Sequence, residues 1–172
     1  MRIVSALLRR LRKRLYTPEQ WARHIGVTIG RNNLIGKDHW SSEPYLITVG
    51  SHCQLTDCRI FTHVGAQPIR DEHPDFDSFG KVVIGDYVYI GSGSLIMPGV
   101  TIGNNVLVAA GSVVTKSVPE RVVVAGNPAR VICTIEEYYE RNKRWDLKSK
   151  SMPTAEKRKM LEELPEDRFI RK

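Results

Sequence analysis

From Ile84 onward an apolar residue returns at every sixth place: Ile84, Ile90, Ile96, Ile102, Val108 and Val114 each open a hexad filled mostly by Gly, Asp, Asn, Ser, Thr and Pro. The fifth place of those hexads reads Val88, Ser94, Val100, Val106, Ser112, Val118. A helix cannot use this period, because six residues at 100° each rotate the apolar place by about 120° per repeat and smear it around the axis. A single flat strand cannot use it either, since the run from 84 to 119 far exceeds the usual three to ten residues and is broken by Gly and Pro. A chain that alternates short strand and corner does satisfy it. Every first-place side chain then turns toward one axis, and successive coils pair in parallel about 4.8 Å apart. The pattern predicts an all-β solenoid, a parallel β-helix of hexapeptide repeats.

Weaker hexads precede this run, opening at Ile29, Ile35, Val49 and Leu55, with a slip of about one residue in register between Leu55 and Phe61. Between Thr62 and Lys81 the repeat stops, and a polar segment with Pro68 and Pro74 intervenes. A loop of that length inside a compact repeat points to function. The open ends of a β-helix expose strand edges, so terminal segments are expected to cover them. Thr17-Pro18-Glu19-Gln20 combines a capping box with Pro at the first helical place and predicts a short helix ending near Gly26. Thr134-Ile135-Glu136-Glu137 is a second capping box, leading a helix toward Arg144, and Pro153 to Leu164 predicts a third. The expected organisation is a helical cap over 1–24, a solenoid over 25–132 with a protruding loop at 64–80, and a helical tail over 133–172.

Charge and composition narrow the function classes. The chain of 172 residues carries a net charge of +7, but Arg2, Arg9, Arg10, Arg12, Lys13 and Arg14 supply six of it, leaving the rest nearly neutral. A nucleic-acid groove would spread its basic residues over the folded body and interleave them with aromatics, and no such run exists. No apolar run nears the roughly 18 residues of a spanning helix. Cys53, Cys58 and Cys133 are too few and too irregular for a disulfide framework or a zinc site, so a reducing cytoplasm is expected. The apolar stretch Ile3 to Leu8 is short and followed, not preceded, by its charges, unlike a cleavable signal. Residues 1–15 instead form a basic amphipathic pattern, expected either to cap the solenoid or to lie peripherally on the inner membrane surface.

The hexads, closed by Val124-Ala125-Gly126-Asn127-Pro128-Ala129-Arg130-Val131-Ile132, resemble the bacterial hexapeptide-repeat acyltransferases over about residues 25–132. Ser42-Glu43-Pro44-Tyr45-Leu46-Ile47, Phe61-Thr62-His63 and His73-Pro74-Asp75-Phe76-Asp77 are similar to sugar O-acetyltransferases of capsule, exopolysaccharide and lipopolysaccharide synthesis. The resemblance implies a left-handed parallel β-helix, a homotrimer, and acetyl-CoA as acyl donor in a crevice between subunits, with no metal. It implies an O-acetyltransferase that moves acetyl to a hydroxyl of a sugar or sugar-containing precursor.

That transfer needs a base for the hydroxyl proton, and His, with an unperturbed pKa of about 6.5, is the usual choice near neutral pH. His63, where the hexads end, is similar to the Thr-His base of related sugar acetyltransferases. His73 resembles the His-Pro context of serine acetyltransferases and is expected to face substrate, together with Arg70 and Asp71. His24, His39 and His52 are expected at the surface or as caps. A carboxylate on the far nitrogen would fix the tautomer of the base. Asp75 and Asp77 match the subgroup pattern and are the expected orienters. Gly91, Ser92, Ala110 and Gly111 are small enough for a pantetheine arm to approach the backbone, and Lys116 and Arg130 suit the CoA phosphates.

Three other classes compete. A hexapeptide carbonic anhydrase needs closely spaced His ligands, whereas His52, His63 and His73 lie ten or eleven residues apart. A serine-acetyltransferase-like enzyme would share the chemistry with a smaller acceptor. A non-catalytic scaffold would need neither His63 nor the acidic loop.

Overall fold

The computed structural model describes residues 15–36 and 40–171; the basic stretch through Arg14 and His39 lie outside them. The chain divides into two units, one through Ile135 and one from Glu136 to the C-terminus.

In the first unit, β1 (Thr28–Ile29) and β2 (Leu34–Ile35) open the strand sequence, followed by β3 (Ile47–Val49), β4 (Gln54–Leu55) and β5 (Arg59–Ile60). After the interruption at 62–81 come β6 (Val82–Ile84), β7 (Tyr89–Ile90), β8 (Leu95–Ile96), β9 (Thr101–Ile102), β10 (Leu107–Val108) and β11 (Val113–Val114). Successive strands join three sheets in rotation. The first sheet has the order β1-β3-β6-β9, the second contains β10-β7-β4-β2, and the third is β11-β8-β5. All of these pairings are parallel. The register pairs Ile84 with Ile102, Ile90 with Val108 and Ile96 with Val114, so one full coil takes three hexads. The period seen in the sequence is therefore the length of one side of the coil.

The first-place residues are the core. Ile84, Ile90, Ile96, Ile102, Val108 and Val114 are buried in one cluster with Ile29, Val49, Leu55 and Ile60 from the weaker hexads. Stacking apolar, mostly β-branched side chains keeps each coil in contact with the next along the axis, which a two-residue strand could not achieve alone. The small fifth-place residues have their own reason. Ser94 and Ser112 are fully buried, and both hydroxyls donate to the Ala109 carbonyl, at 3.0 and 2.6 Å. A Val at either place would remove one of these donors from that carbonyl.

Helix α1 (Pro18–Ile25) begins as predicted. Thr17 accepts from the Gln20 amide, the Gln20 side chain caps Thr17 in return, and Gly26 ends the helix in left-handed backbone at φ 112°. Its Ala22 is buried in the solenoid core, so α1 covers the first coil. At the other end β12 (Val122–Gly126) extends the second sheet in parallel, and β13 (Ala129–Thr134) folds back on it antiparallel. Arg130 pairs with Ala125 in that hairpin. The second unit holds α2 and α3 (Thr154–Glu162); α2 spans Ile135–Asn142, its first residue belonging to the first unit. Both sit where capping and proline signals place helices.

Candidate active site

The third sheet is where the coil is least regular. Among the described residues the third side of the first coil holds no strand; residues 40–46 lie there, ending in a 3-10 turn at Pro44–Leu46. In the second coil, β5 forms the edge of the third sheet, and the chain then leaves the coil at Thr62. These two departures meet. The Thr62 amide donates to the Ser41 hydroxyl at 3.2 Å, and the two side-chain oxygens lie 2.7 Å apart. The Thr62 hydroxyl also donates to Glu43 Oε2 at 2.8 Å.

The same carboxylate oxygen lies 2.8 Å from His63 Nδ1. A carboxylate can only accept, so this bond puts the proton of the neutral ring on Nδ1 and the lone pair on Nε2. The Ser41 and Ser42 hydroxyls approach Nδ1 at 3.5 Å. Bonding by His63 first, and by Thr62 next, holds the Glu43 carboxyl down from 4.5 to about 2, against the opposing effect of burial. Glu43 is thus an anion at every working pH. The His63 side chain is 40% exposed and that of Glu43 18%, so the carboxylate lies beneath a ring that opens outward. Among the described residues none bonds Nε2.

His63 and Glu43 line a cavity of about 500 Å³ with Ser42, Val64, Arg70, Asp77 and Phe79. Arg70 is set by its Nε bond to the Phe76 carbonyl at 3.0 Å and by Asp77, 3.6 Å from its Nη2. A base with one nitrogen anchored and the other free at a cavity wall can accept a proton from a hydroxyl bound there.

The sequence expectations divide at this point. His63, Arg70 and Asp77 are brought together. The carboxylate on the His63 ring is Glu43, not Asp75 or Asp77: Asp77 is engaged with Arg70, and Asp75 is exposed and outside the cavity lining. His73 and Asp71 are exposed and also outside that lining. His52 stacks on Tyr87 with ring centroids 4.7 Å apart, and His24 packs against Tyr16 and Trp21. Glu43 was missed because its partner lies twenty residues and one coil away. The signal for it was an acid at the break in the first coil, facing a histidine at the break in the second.

Elsewhere on the coil, Gly91 and Ser92 stack directly over Ala110 and Gly111, with the Gly111 amide donating to the Ser92 carbonyl at 2.9 Å. A Cβ on Gly91 would lie 2.5 Å from the Ala110 amide nitrogen, so only glycine allows that approach. Ser92, Ala110, Gly111, Lys116 and Arg130 are exposed. Among the described residues, no group of three His, Cys, Asp or Glu side chains is arranged to hold a metal ion, and no helix is long and apolar enough to cross a membrane.

The family model described as "Bacterial transferase hexapeptide (six repeats)" matches residues 81–116. Protein CapG of Staphylococcus aureus is 40% identical over 125 residues, covering 70% of this chain and 73% of that protein. Galactoside O-acetyltransferase of Escherichia coli (strain K12) is 36% identical over 123 residues, 70% of this chain and 60% of that enzyme. A solved galactoside acetyltransferase in complex with coenzyme A matches with a TM-score of 0.51 at 26% identity, over 77% of this chain and 83% of that one.

Proposed function

Because the chain belongs to the bacterial hexapeptide-repeat acyltransferases, we propose that it moves acetyl from acetyl-CoA to a hydroxyl of a sugar or sugar-containing precursor of surface polysaccharide, with His63 as general base and Glu43 as its orienting partner. One observation carries this reading: His63 Nδ1 is anchored on Glu43 at 2.8 Å while the half-exposed ring lines the cavity.

The acceptor hydroxyl gives its proton to Nε2 as its oxygen attacks the thioester carbonyl. The tetrahedral adduct then collapses, the C–S bond breaks, and the imidazolium returns the proton to the departing CoA sulfur. Glu43 stabilises the imidazolium between the two steps and keeps the ring from turning. The donor reading is supported by the coenzyme A complex of the galactoside acetyltransferase. The acceptor reading is supported by the galactoside O-acetyltransferase and by the sugar-enzyme motifs of the sequence. On the same footing the coil is left-handed and the active assembly a trimer. The pantetheine arm then runs past Gly91, Ser92, Ala110 and Gly111, with Lys116 and Arg130 toward the phosphates.

Calorimetric titration with CoA, followed by an assay of thiol release from acetyl-CoA on adding a galactoside, tests the proposal without the natural acceptor. The expected result is saturable heat at one site per chain and sugar-dependent thiol release. An absence of heat up to millimolar CoA would overturn it.

A further inference from the structure

The cavity that holds the base also holds one aromatic ring. The loop leaves the coil along Thr62–Val64 and returns along Ser78–Gly80, and the two strips run antiparallel. The Gly80 amide donates to the Thr62 carbonyl at 2.8 Å and the Val64 amide to the Ser78 carbonyl at 3.3 Å. His63 and Phe79 form the bridge between those bonds. The two bonds flank this pair and do not join it. That is the non-hydrogen-bonded kind of antiparallel pair, in which facing Cα atoms come within about 4.5 Å and the side chains stand closest, on one face. The backbone therefore delivers Phe79 to the side of the sheet that carries the imidazole.

Phe79 is 54% exposed and lines the cavity with His63. Among the described residues its ring has no aromatic or cationic partner. A phenyl ring gains by burial, and this one is withheld from it beside a catalytic base. Arg70 and Asp77, on the same lining, offer donors and acceptors suited to hydroxyl groups.

We propose that Phe79 is the acceptor platform: its ring carries the apolar C–H face of a hexopyranose, and this sets one ring hydroxyl against His63 Nε2 while Arg70 and Asp77 meet other hydroxyls. The inference rests on reading the cavity as the acceptor site. It makes Phe79 a specificity-determining residue, since an acceptor without a flat C–H face loses this contact while the base is unaffected.

The test uses the full-length protein with saturating CoA and a panel of methyl galacto-, gluco- and mannopyranosides, read by saturation-transfer NMR at the sugar C–H protons. Phe79→Tyr, Phe79→Leu and Phe79→Ala are compared, with the CoA dissociation constant of each as the control for folding. At least one pyranoside is expected to receive transfer in the unaltered protein and in Phe79→Tyr. Its affinity should fall about tenfold in Phe79→Leu and Phe79→Ala, with CoA affinity unchanged. Phe79→Leu decides the question if Phe79→Ala fails to fold, because it keeps most of the apolar bulk and removes the aromatic face. Transfer to no pyranoside, equal affinity in the leucine variant, or weakened CoA with unchanged sugar binding would each overturn the proposal. Loss of CoA binding by the unaltered protein is a separate result and would overturn the donor reading instead.

Discussion

The coils from Ile84 to Val118 and those from Thr28 to Lys81 share a core and differ in what they do with their corners. In the later coils every side holds a strand, and buried polar groups are satisfied within the stack, as Ser94 and Ser112 are on the Ala109 carbonyl. In the earlier coils the path is interrupted twice, at 40–46 on the third side of the first coil and at 62–81 just after the third side of the second, and polar side chains from one break reach those of the other. Regularity produces stability and flat edges but no chemistry. The proposed chemistry collects where two irregular segments are stacked by the regular part beneath them.

The most disruptive way to probe this difference is to remove the proposed base, His63. His63→Ala should reduce thiol release on the order of 10²–10⁴-fold, with a fall in melting temperature smaller than that of a core truncation because the ring is 40% exposed; an assay beside a thermal scan checks both. The mirror-image change is Ile96→Ala in the same sheet. Ile96 is fully buried and pairs with Ile60 on one side and Val114 on the other. Its truncation should cost roughly 2–5 kcal/mol in urea unfolding, with turnover per folded molecule retained.

Glu43→Gln should lower turnover about tenfold or more by removing the anion that supports the imidazolium. It should also alter the acid limb of stability. The Glu43 carboxyl is depressed from 4.5 to about 2 in the fold, so its contribution is fully present above pH 4.5 and is lost as pH falls toward about 2. Urea midpoints measured between those values should fall more steeply for the unaltered protein than for Glu43→Gln, the two curves drawing together at the acid end. The smallest effect is expected at Asp75, exposed and outside the cavity: Asp75→Asn should leave turnover within about twofold.

What could be read from the sequence follows the same division. The hexads reveal the core because each first-place residue meets its own equivalent one coil away, and a fixed period is visible in one dimension. Helix α1 is legible for a related reason: its capping box, Pro18 and Gly26 are local. His63 could be found because it stands at the end of a repeat. Glu43 could not be paired with it, since that contact depends on how many residues the first coil spends before its next strand, and no local rule sets this. Asp75 and Asp77 follow from the resemblance to the subgroup pattern, yet the loop turns Asp77 onto Arg70 and leaves Asp75 outside the cavity. Phe79 was silent for the same reason, as its place beside His63 is set by the return of the loop.

The clasp at the base of that loop has a consequence for how such proteins change over time. Where exit and entry are joined by Gly80 to Thr62 and Val64 to Ser78, the coil senses only that the ends meet, and lengthening the intervening segment adds little closure entropy. Residues 65–77 can thus be exchanged, shortened or extended as a cassette while the base, its carboxylate and the ring beside it keep their positions. One solenoid can in this way be refitted to new acceptors by altering a segment that lies outside its main core cluster.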